Sequence, residues 1–243
     1  SGFNAANLII AIRESSNLNF IDQPSPNFDE RANPDEIDML VLHYTGMENV
    51  DAALTKLCDP AAKVSAHYLI DEDGTVYCLV DGAKRAWHAG VSWWRGHTDI
   101  NARSIGVELV NPGHEFGYRP FPESQMNALI GLARRLTDRY LIPEENIVGH
   151  SDVAPTRKQD PGELFDWPLL AKNGIGYWPE KFKGIPPLGM SATMLLSEIG
   201  YDISDSDAAV RAFQRRYCPN AMDSKADGDT LAALYALYLQ QAV

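Results

Sequence analysis

Short apolar runs recur over the first part of the chain at the length of β-strands. Met39–Tyr44 and Ser104–Val110 predict two buried strands, and the shorter run Ile147–Gly149 predicts a third. Two further runs, Ala66–Ile70 and Thr75–Val80, flank a four-residue loop that contains a glycine, which is typical of a β-hairpin. This part of the chain therefore supplies the strands of a sheet.

Helical periodicity is clearest between Pro122 and Tyr140, where apolar side chains recur every three or four residues and form one stripe. Pro122 suits the first turn of a helix, and Pro143 follows soon after the predicted end. A shorter helix is predicted over Asn49–Leu57. Strands and helices that alternate in this way predict an α/β fold with a mixed central sheet flanked by helices.

The end of the chain has a different pattern and predicts a small three-helix domain. The predicted helices are Ser191–Ile199, Ser204–Tyr217 and Asp229–Gln240. All six histidines and all five tryptophans precede Gly184, and a Pro- and Gly-rich segment, Lys183–Gly189, joins the two parts. We predict one domain over 1–184 and a second over 185–243, with few contacts between them.

Composition and charge exclude several classes of protein. The 243 residues are 45% hydrophobic and 22% charged, as in an ordinary globular chain. A net charge of −12 argues against nucleic acid or an anionic membrane as a partner. No apolar run approaches the roughly 18 residues of a membrane span. The chain is expected to act as a monomer.

The compartment is predicted from weaker signals. Cys58, Cys78 and Cys218 form neither a metal-binding pair nor a disulfide framework by spacing. Three reduced thiols favour a reducing compartment, although one chance disulfide is an alternative. The apolar run Leu8–Ile12 lacks the preceding basic residues of a secretory signal. We predict a cytoplasmic protein, with the periplasm as the alternative if a leader was removed before Ser1.

Residues with metal-binding chemistry stand where predicted strands end. His43 closes one strand, His150 directly follows another, and Asp160 lies ten residues later in a Pro-rich loop. Two imidazoles and one carboxylate are a suitable ligand set for catalytic zinc, since three protein ligands leave the fourth position for water. No HExxH helix fixes the geometry, so the spacing alone is more typical of three polar residues that are hydrogen-bonded at strand ends.

Two further residues could take part in catalysis. Glu108 interrupts an otherwise apolar strand, so it either faces solvent or is held in a cleft. In a cleft, burial would raise its pKa and suit it to general acid–base catalysis. Lys158 stands two residues before Asp160. Its position alone is typical of a surface lysine, but a lysine beside a metal stabilises an oxyanion.

Six ordered motifs between residues 38 and 180 carry a resemblance to a known family. They are LHYT at 42–45, VSAHYLIDEDG at 64–74, AWHAG at 86–90, NARSIGVEL at 101–109, VGHSDVAP at 148–155 and KQDPG at 158–162. Together they resemble the zinc-dependent N-acetylmuramoyl-L-alanine amidases of the AmpD and AmiD type, which share a fold with T7-type lysozyme and peptidoglycan recognition proteins. The resemblance leaves 1–37 as an N-terminal extension.

The resemblance implies a role for each candidate residue. It implies Zn²⁺ on His43, His150 and Asp160, with Glu108 and Lys158 as catalytic residues. It implies hydrolysis of the amide between N-acetylmuramic acid, or its 1,6-anhydro form, and L-alanine, so that the partner is peptidoglycan or a muropeptide. The tail resembles a peptidoglycan-binding domain. The alternative function is a recognition module that binds peptidoglycan without cleaving it.

Other residues of the motifs are candidates for substrate contacts. His88 could touch substrate, Trp93 and Trp94 could stack on sugar rings, and Asn101 and Arg103 could hydrogen-bond the stem peptide. The remaining histidines are expected to brace the groove or to lie at the surface: His67, His97 and His114.

Overall fold

The computed structural model describes residues 18–179, 184 and 186–241. The apolar run Leu8–Ile12 and two residues of the predicted linker, 183 and 185, lie outside this range. Within it, six strands form one mixed sheet in the order β1-β5-β4-β7-β3-β8, and β2 pairs with β6 in a second sheet. The strands are β1 (Phe20–Asp22), β2 (Phe28–Glu30), β3 (Met39–Tyr44), β4 (Tyr68–Ile70), β5 (Val76–Cys78), β6 (Lys84–Ala86), β7 (Ser104–Leu109) and β8 (Ile147–Gly149).

The α-helices of the described residues differ widely in length. They are α1 (Val50–Cys58), α2 (Ile100–Arg103), α3 (Gly113–Phe116), α4 (Glu123–Tyr140), α5 (His150–Val153), α6 (Trp167–Lys172), α7 (Ala192–Ile199), α8 (Ser206–Tyr217) and α9 (Gly228–Gln241). None of these helices has the length and apolar character that crossing a membrane requires. The fold is a mixed central sheet flanked by helices, which confirms the predicted fold class.

The functional end of the sheet is built on β3, which pairs in parallel with β7 on one side and with β8 on the other. The first five residues of β3 are buried, as expected of a strand that is covered on both faces. In the β3–β7 register, His43 stands opposite Glu108. Parallel strands therefore bring two predicted site residues to the same edge of the sheet.

Helix α4 covers one face of the sheet with the predicted apolar stripe. Leu129, Leu132 and Leu136 are fully buried and belong to the same apolar cluster as Leu40 and Leu42 of β3. The chain leaves the helix through Leu141, whose backbone has a left-handed φ of 53°. The helix thus holds β3 in place from behind, away from the site.

The three-helix tail packs into the rest of the molecule, so the expectation of few contacts across the boundary is wrong. Leu196 and Phe213 of the tail belong to one buried apolar cluster with Met39, Val41 and Val148 of the sheet. The tail therefore covers the face of the sheet that carries Met39 and Val41, which is opposite the face covered by α4. The boundary itself, at 184–185, stays a prediction.

Most predicted elements form within one or two residues of their predicted bounds. The strands β3 and β8 match the prediction, and α4 begins at Glu123 rather than at Pro122. The hairpin forms as the antiparallel pair β4–β5, although both of its strands are shorter than predicted. The strands β1, β2 and β6 were not predicted. Cys58, Cys78 and Cys218 are all free thiols.

Candidate active site and metal centre

Three donor atoms converge at the edge of the sheet. His43 comes from the end of β3, His150 is the first residue of α5, and Asp160 lies in the loop that follows α5. His43 Nδ1 is 2.9 Å from His150 Nδ1, and Asp160 Oδ2 is 3.0 Å from each of these nitrogens. All three side chains are buried. The structure therefore brings the three predicted ligands together.

A glycine permits this convergence. Gly149 precedes His150, and a Cβ added there would lie 2.7 Å from Cδ of Pro161, the residue after Asp160. Such a contact is shorter than side chains tolerate, so the loop that carries Asp160 would have to move. The backbone N–H of Ser151 also donates to the carbonyl of Asp160 at 2.9 Å. The strand–helix junction thus holds the loop at close range.

The second nitrogen of each histidine fixes which nitrogen carries the hydrogen. His150 Nε2 lies 3.0 Å from the carbonyl oxygen of Ala89, which can only accept, so Nε2–H donates and Nδ1 keeps its lone pair. His43 Nε2 lies 3.0 Å from His88 Nδ1, and His88 Nε2 lies 3.2 Å from Ser104 Oγ. Ser104 Oγ donates its own hydrogen to the Ile100 carbonyl at 2.7 Å, so it accepts from His88 Nε2–H. His88 Nδ1 then accepts from His43 Nε2–H, and His43 Nδ1 keeps its lone pair.

The room for His88 comes from Gly106 of β7. A Cβ at Gly106 would lie 2.5 Å from the His88 ring, so any other residue would displace this imidazole. Below it, His67 accepts the Gly106 N–H at Nδ1 and contacts Arg31 at Nε2. His67 therefore braces the floor of the site, as predicted from the sequence.

Burial sets the charges of these groups. It lowers the pKa of His43 to about 4, with a further contribution from the neighbouring His150, so His43 is neutral near pH 7. Burial alone would raise the pKa of Asp160, but His150 and His43, when protonated, hold it well below its usual range through charge and hydrogen bonds. Neutral imidazoles and an ionised carboxylate are the forms that bind a metal.

Glu108 is held in the cleft rather than at a solvent-facing position. Its Oε2 atom is buried and has no hydrogen-bond partner among the described residues. Burial raises the pKa of Glu108 well above its usual range, the charge of Asp160 adds to this rise, and Lys158 opposes it. A carboxyl group with a raised pKa beside a metal centre is suited to moving protons near pH 7.

Lys158 lines the same cleft and is half-buried. Its backbone N–H donates to the carbonyl of Ala154 at the end of α5, which fixes the loop that leads to Asp160. Its ammonium group forms no ion pair with the residues that the structure describes. The charge is therefore free to face a ligand in the cleft.

The cleft is open to solvent and has a volume of about 410 Å³. Polar and aromatic side chains line it beside the predicted site residues: Tyr44, Trp87, His114, Glu115 and Arg157. Arg157 donates to the carbonyl oxygens of Ala89 and Val91, which fixes one wall. The sequence analysis did not single these side chains out as site residues, although Tyr44 and Trp87 directly adjoin His43 and His88.

A hydrogen-bonded chain forms the opposite rim. The Tyr44 hydroxyl lies 2.8 Å from His114 Nδ1, and His114 Nε2 lies 3.0 Å from Glu163. Burial raises the pKa of Tyr44 to about 12, so its hydroxyl keeps the proton. His114 was expected at the surface; it is exposed, but it also lines the cleft.

The predicted substrate contacts divide into two groups. His88 lines the cleft and also supports His43 from behind. Trp93, Asn101 and Arg103 do not line this cleft. Arg103 forms an ion pair with Asp38 on another face of the molecule. Contacts of Trp93, Asn101 and Arg103 with substrate stay predictions, which the geometry of the cleft does not support.

Asn101 has a different position from the one expected. It is buried beneath the loop that carries His88, and its Oδ1 accepts the backbone N–H groups of His88 and Ala89 at 3.1 and 2.8 Å. Trp94 is also buried, and its ring packs on that of Tyr201 from the tail at 5.1 Å between centroids. Trp94 therefore serves packing rather than sugar stacking.

Comparison with known proteins identifies the family. The family described as N-acetylmuramoyl-L-alanine amidase matches residues 33–163, which contain all five predicted catalytic and metal-binding residues. The chain belongs to this family. The resemblance drawn from the six motifs is thereby confirmed for the amidase part, while the peptidoglycan-binding character of the tail stays a prediction.

Two characterised relatives show how far the similarity extends. The amidase is 37% identical to the N-acetylmuramoyl-L-alanine amidase AmiD of Escherichia coli, over 83% of this chain and 82% of the relative. It is also 37% identical to the 1,6-anhydro-N-acetylmuramyl-L-alanine amidase AmpD of Haemophilus influenzae, over 59% of this chain and 85% of the relative. The predicted class of enzyme is therefore confirmed.

Solved structures agree with the sequence comparison. The AmiD structure from E. coli, in complex with anhydro-N-acetylmuramic acid-L-Ala-D-γ-Glu-L-Lys, has a TM-score of 0.76 and 34% identity over 88% of this chain and 98% of its own. AmpDh3 of Pseudomonas aeruginosa, in complex with an anhydromuramic pentapeptide, has a TM-score of 0.74 and 33% identity over 85% and 92%. Both similarities extend beyond the amidase match into the tail.

Proposed function

We propose that this amidase binds Zn²⁺ through His43, His150 and Asp160 and hydrolyses the amide between the lactyl group of N-acetylmuramic acid and L-alanine. The observation that carries the proposal is the convergence of three donor atoms within 3.0 Å of one another, in a cleft that also contains Glu108 and Lys158. The sugar is either the ordinary or the 1,6-anhydro form.

The donor set fits zinc. His150 Nε2–H donates to the Ala89 carbonyl, and His43 Nε2–H donates to His88 Nδ1. Each imidazole therefore presents a lone pair at Nδ1. Donor atoms that bind one Zn²⁺ at about 2.0–2.1 Å in a tetrahedron lie about 3.3 Å apart. The three atoms observed here are a few tenths of an ångström closer, which a small rotation of the side chains relieves. Two nitrogens and one oxygen leave one tetrahedral position for a non-protein ligand.

A bound Zn²⁺ would supply two kinds of chemistry, since it lowers the pKa of water and polarises a carbonyl oxygen. The chain supplies proton transfer. Glu108 in its ionised form accepts a proton from water at Oε2, which no group of the described residues occupies. It then donates that proton to the nitrogen of L-alanine, so that the amine leaves uncharged. A raised pKa makes Glu108 able to do both.

Lys158 stabilises the negative charge that develops on the lactyl carbonyl oxygen. Its ammonium group forms no ion pair with the described residues and faces the same cleft as Glu108. In a partly desolvated cleft such a charge is worth more than it is in water. Arg157, which also lines the cleft, is engaged with two backbone carbonyls and is therefore a poorer candidate.

The substrate class follows from the chemistry of the relatives and from the shape of the cleft. The solved AmiD and AmpDh3 structures hold anhydro-muramyl peptides. The cleft, of about 410 Å³ and open to solvent, lies in the size range of sites that bind small molecules. We extend the same substrate class to this chain, with His88 as a residue that contacts substrate.

Three finer points belong to the same proposal. The tail binds cell-wall polymer, the enzyme acts as a monomer, and it works in the cytoplasm, with the periplasm as the alternative. Sedimentation with insoluble sacculi tests the first point, and light scattering of the purified chain tests the second. Fractionation of cells that express the native gene, with detection of the enzyme in each fraction, tests the third.

The experiment for the reaction is product analysis with a defined anhydro-muramyl tripeptide. We expect mass spectrometry to find the free sugar acid and a peptide with L-alanine at its amino terminus, only when zinc is present. Cleavage at another bond would contradict the reaction. Binding of the intact ligand without any turnover would instead favour the alternative, a recognition module.

A further inference from the structure

The short helix α5 controls the position of two of the three proposed metal ligands. His150 is its first residue, and the backbone N–H of the next residue, Ser151, donates to the Asp160 carbonyl at 2.9 Å. A rotation of this single turn would move the His150 imidazole and the Asp160 loop together. Whatever fixes α5 therefore fixes the metal centre.

The carboxylate of Asp152 ties α5 to the end of β8. Its side chain is almost fully buried, and Oδ2 accepts the backbone N–H of Gly149 at 2.8 Å. Gly149 is the last residue of β8 and immediately precedes His150. This bond closes the turn in which His150 stands, since it joins the residue before His150 to a residue two positions after it.

The remaining partners of Asp152 come from the tail. Arg216 of α8 donates from Nη1 to Asp152 Oδ2 at 2.9 Å, and Tyr201, which follows α7, donates its hydroxyl proton to Oδ1 at 2.7 Å. The same Arg216 nitrogen also donates to the carbonyl of Ile147 in β8 at 3.1 Å. Arg216 therefore contacts one residue before His150, Ile147, and one residue after it, Asp152.

These contacts are buried and held by further packing. The side chains of Arg216 and Asp152 are 5% and 1% exposed. The guanidinium group lies 3.8 Å from the centroid of the Trp167 ring, and Tyr201 packs on Trp94. A carboxylate buried to this degree depends on its charge partner, because losing that partner leaves an uncompensated charge away from water.

We propose that the tail is part of the metal centre, with Arg216 and Tyr201 as positioning residues that act through Asp152 on His150 and Asp160. This inference rests on the proposed metal site. It assigns the tail a role beyond wall binding: the docked tail holds α5 in the orientation in which the donor atoms converge. Removing a group that is hydrogen-bonded directly to a metal ligand typically lowers metal affinity about 10–100-fold. Arg216 and Tyr201 are one step further from the ligands, so their effect is expected at or below the lower end of that range.

The test is zinc affinity, measured by competition with a chromophoric chelator on the metal-free full-length chain. We expect Arg216→Met to weaken zinc binding by up to about 10-fold, the lower end of the range for direct partners of metal ligands. Arg216→Lys keeps the charge and should restore part of the loss. Tyr201→Phe removes one hydroxyl group with little change of shape, so it should fold and show a smaller loss in the same direction.

The control is Leu234→Ala in α9. Leu234 is fully buried in the tail, and α9 packs on α7 and α8, so the variant loosens the tail without removing a partner of Asp152. We expect zinc affinity close to that of the wild type. An equal loss in Leu234→Ala would overturn the assignment of Arg216 and Tyr201 as positioning residues, because general loosening of the tail would then explain the result.

A second readout uses the reciprocity of coupled equilibria. If the docked tail strengthens zinc binding, zinc must stabilise the docked tail by the same free energy. Hydrogen exchange of the backbone in Ser206–Tyr217 should slow when zinc is added to the wild type, and less so in Tyr201→Phe. Wild-type zinc affinity in both Tyr201→Phe and Arg216→Met would overturn the inference about the tail and leave the proposed metal site in place. A wild-type chain that binds no zinc would overturn the proposed metal site as well.

Discussion

Replacing Glu108 with glutamine keeps the shape of the side chain and removes its ability to accept a proton. Oε2 of Glu108 has no hydrogen-bond partner among the described residues, so the substitution breaks no contact of that atom. General acid–base catalysis contributes about 10²–10⁴-fold, which corresponds to about 2.7–5.5 kcal/mol of the activation barrier. We expect kcat to fall by that factor with the zinc content unchanged.

The same substitution should stabilise the metal-free protein at neutral pH. Burial and the charge of Asp160 raise the pKa of Glu108 well above its usual range, so the folded state holds this proton more tightly than the unfolded state does. Ionising the carboxyl group therefore opposes folding, by about 1.4 kcal/mol for each unit of the rise. The penalty is absent below the unfolded pKa of about 4.3 and grows as pH rises to the folded value.

Two measurements check this prediction: steady-state kinetics of the zinc-loaded enzyme, and urea unfolding of the metal-free protein at pH 4 and pH 8. Glu108→Gln should match the wild type in stability at pH 4 and exceed it at pH 8. Glu198→Gln, at an exposed position of α7, is the control and should change neither property. Turnover near the wild-type level, or an equal stability difference at both pH values, would refute the role given to Glu108.

Three further predictions follow from the site and from the docked tail. Lys158→Ala should keep its zinc and lower kcat about 10²–10³-fold, the usual effect of losing an oxyanion donor; steady-state kinetics would contradict this if kcat stayed unchanged. Asp160→Ala should lose zinc on dialysis, because two imidazoles leave the metal under-coordinated; full occupancy by elemental analysis would contradict it. Deleting 185–243 removes both tail partners of Asp152 and exposes the apolar side chains of Met39, Val41 and Val148, a loss of about 3–5 kcal/mol, or about 6–20 °C in Tm for a chain of this size. Calorimetry that found an unchanged Tm would show that the tail is independent.

The central strands could be predicted because burial on both faces leaves a plain apolar run. The run at Met39–Tyr44 ends where the strand ends, and His43 stands at its edge for that reason. The short strands β1, β2 and β6 carry no such run. All three are edge strands of three residues each, so pairing with a neighbour defines them more than their own sequence does.

The docking of the tail could not be predicted for a different reason. Arg216 stands in the last turn of an amphipathic helix, where an arginine ordinarily faces solvent and complements the helix dipole. Its partner Asp152 lies 64 residues earlier in the sequence. No periodicity links the two, and a linker rich in proline and glycine is typical of independent domains as well as of docked ones.

The roles of Trp94 and Asn101 were missed in the same way. Aromatic residues next to an arginine suggest a sugar platform, yet Trp94 is buried against Tyr201. Asn101 precedes the strand of Glu108, but its amide oxygen accepts two backbone N–H groups of the loop at His88. A motif shows that a residue matters to the site, and only geometry shows whether it faces the ligand or supports the wall.

The measurement that tests the account most directly is zinc titration of the metal-free full-length chain, with turnover of an anhydro-muramyl tripeptide followed at each addition. The account predicts that turnover rises in proportion to zinc, reaches its maximum at one equivalent per chain and releases a peptide that begins with L-alanine. Full turnover before any zinc is added would contradict the metal centre. A chain that binds one equivalent of zinc and still releases no peptide would contradict the catalytic role of the site.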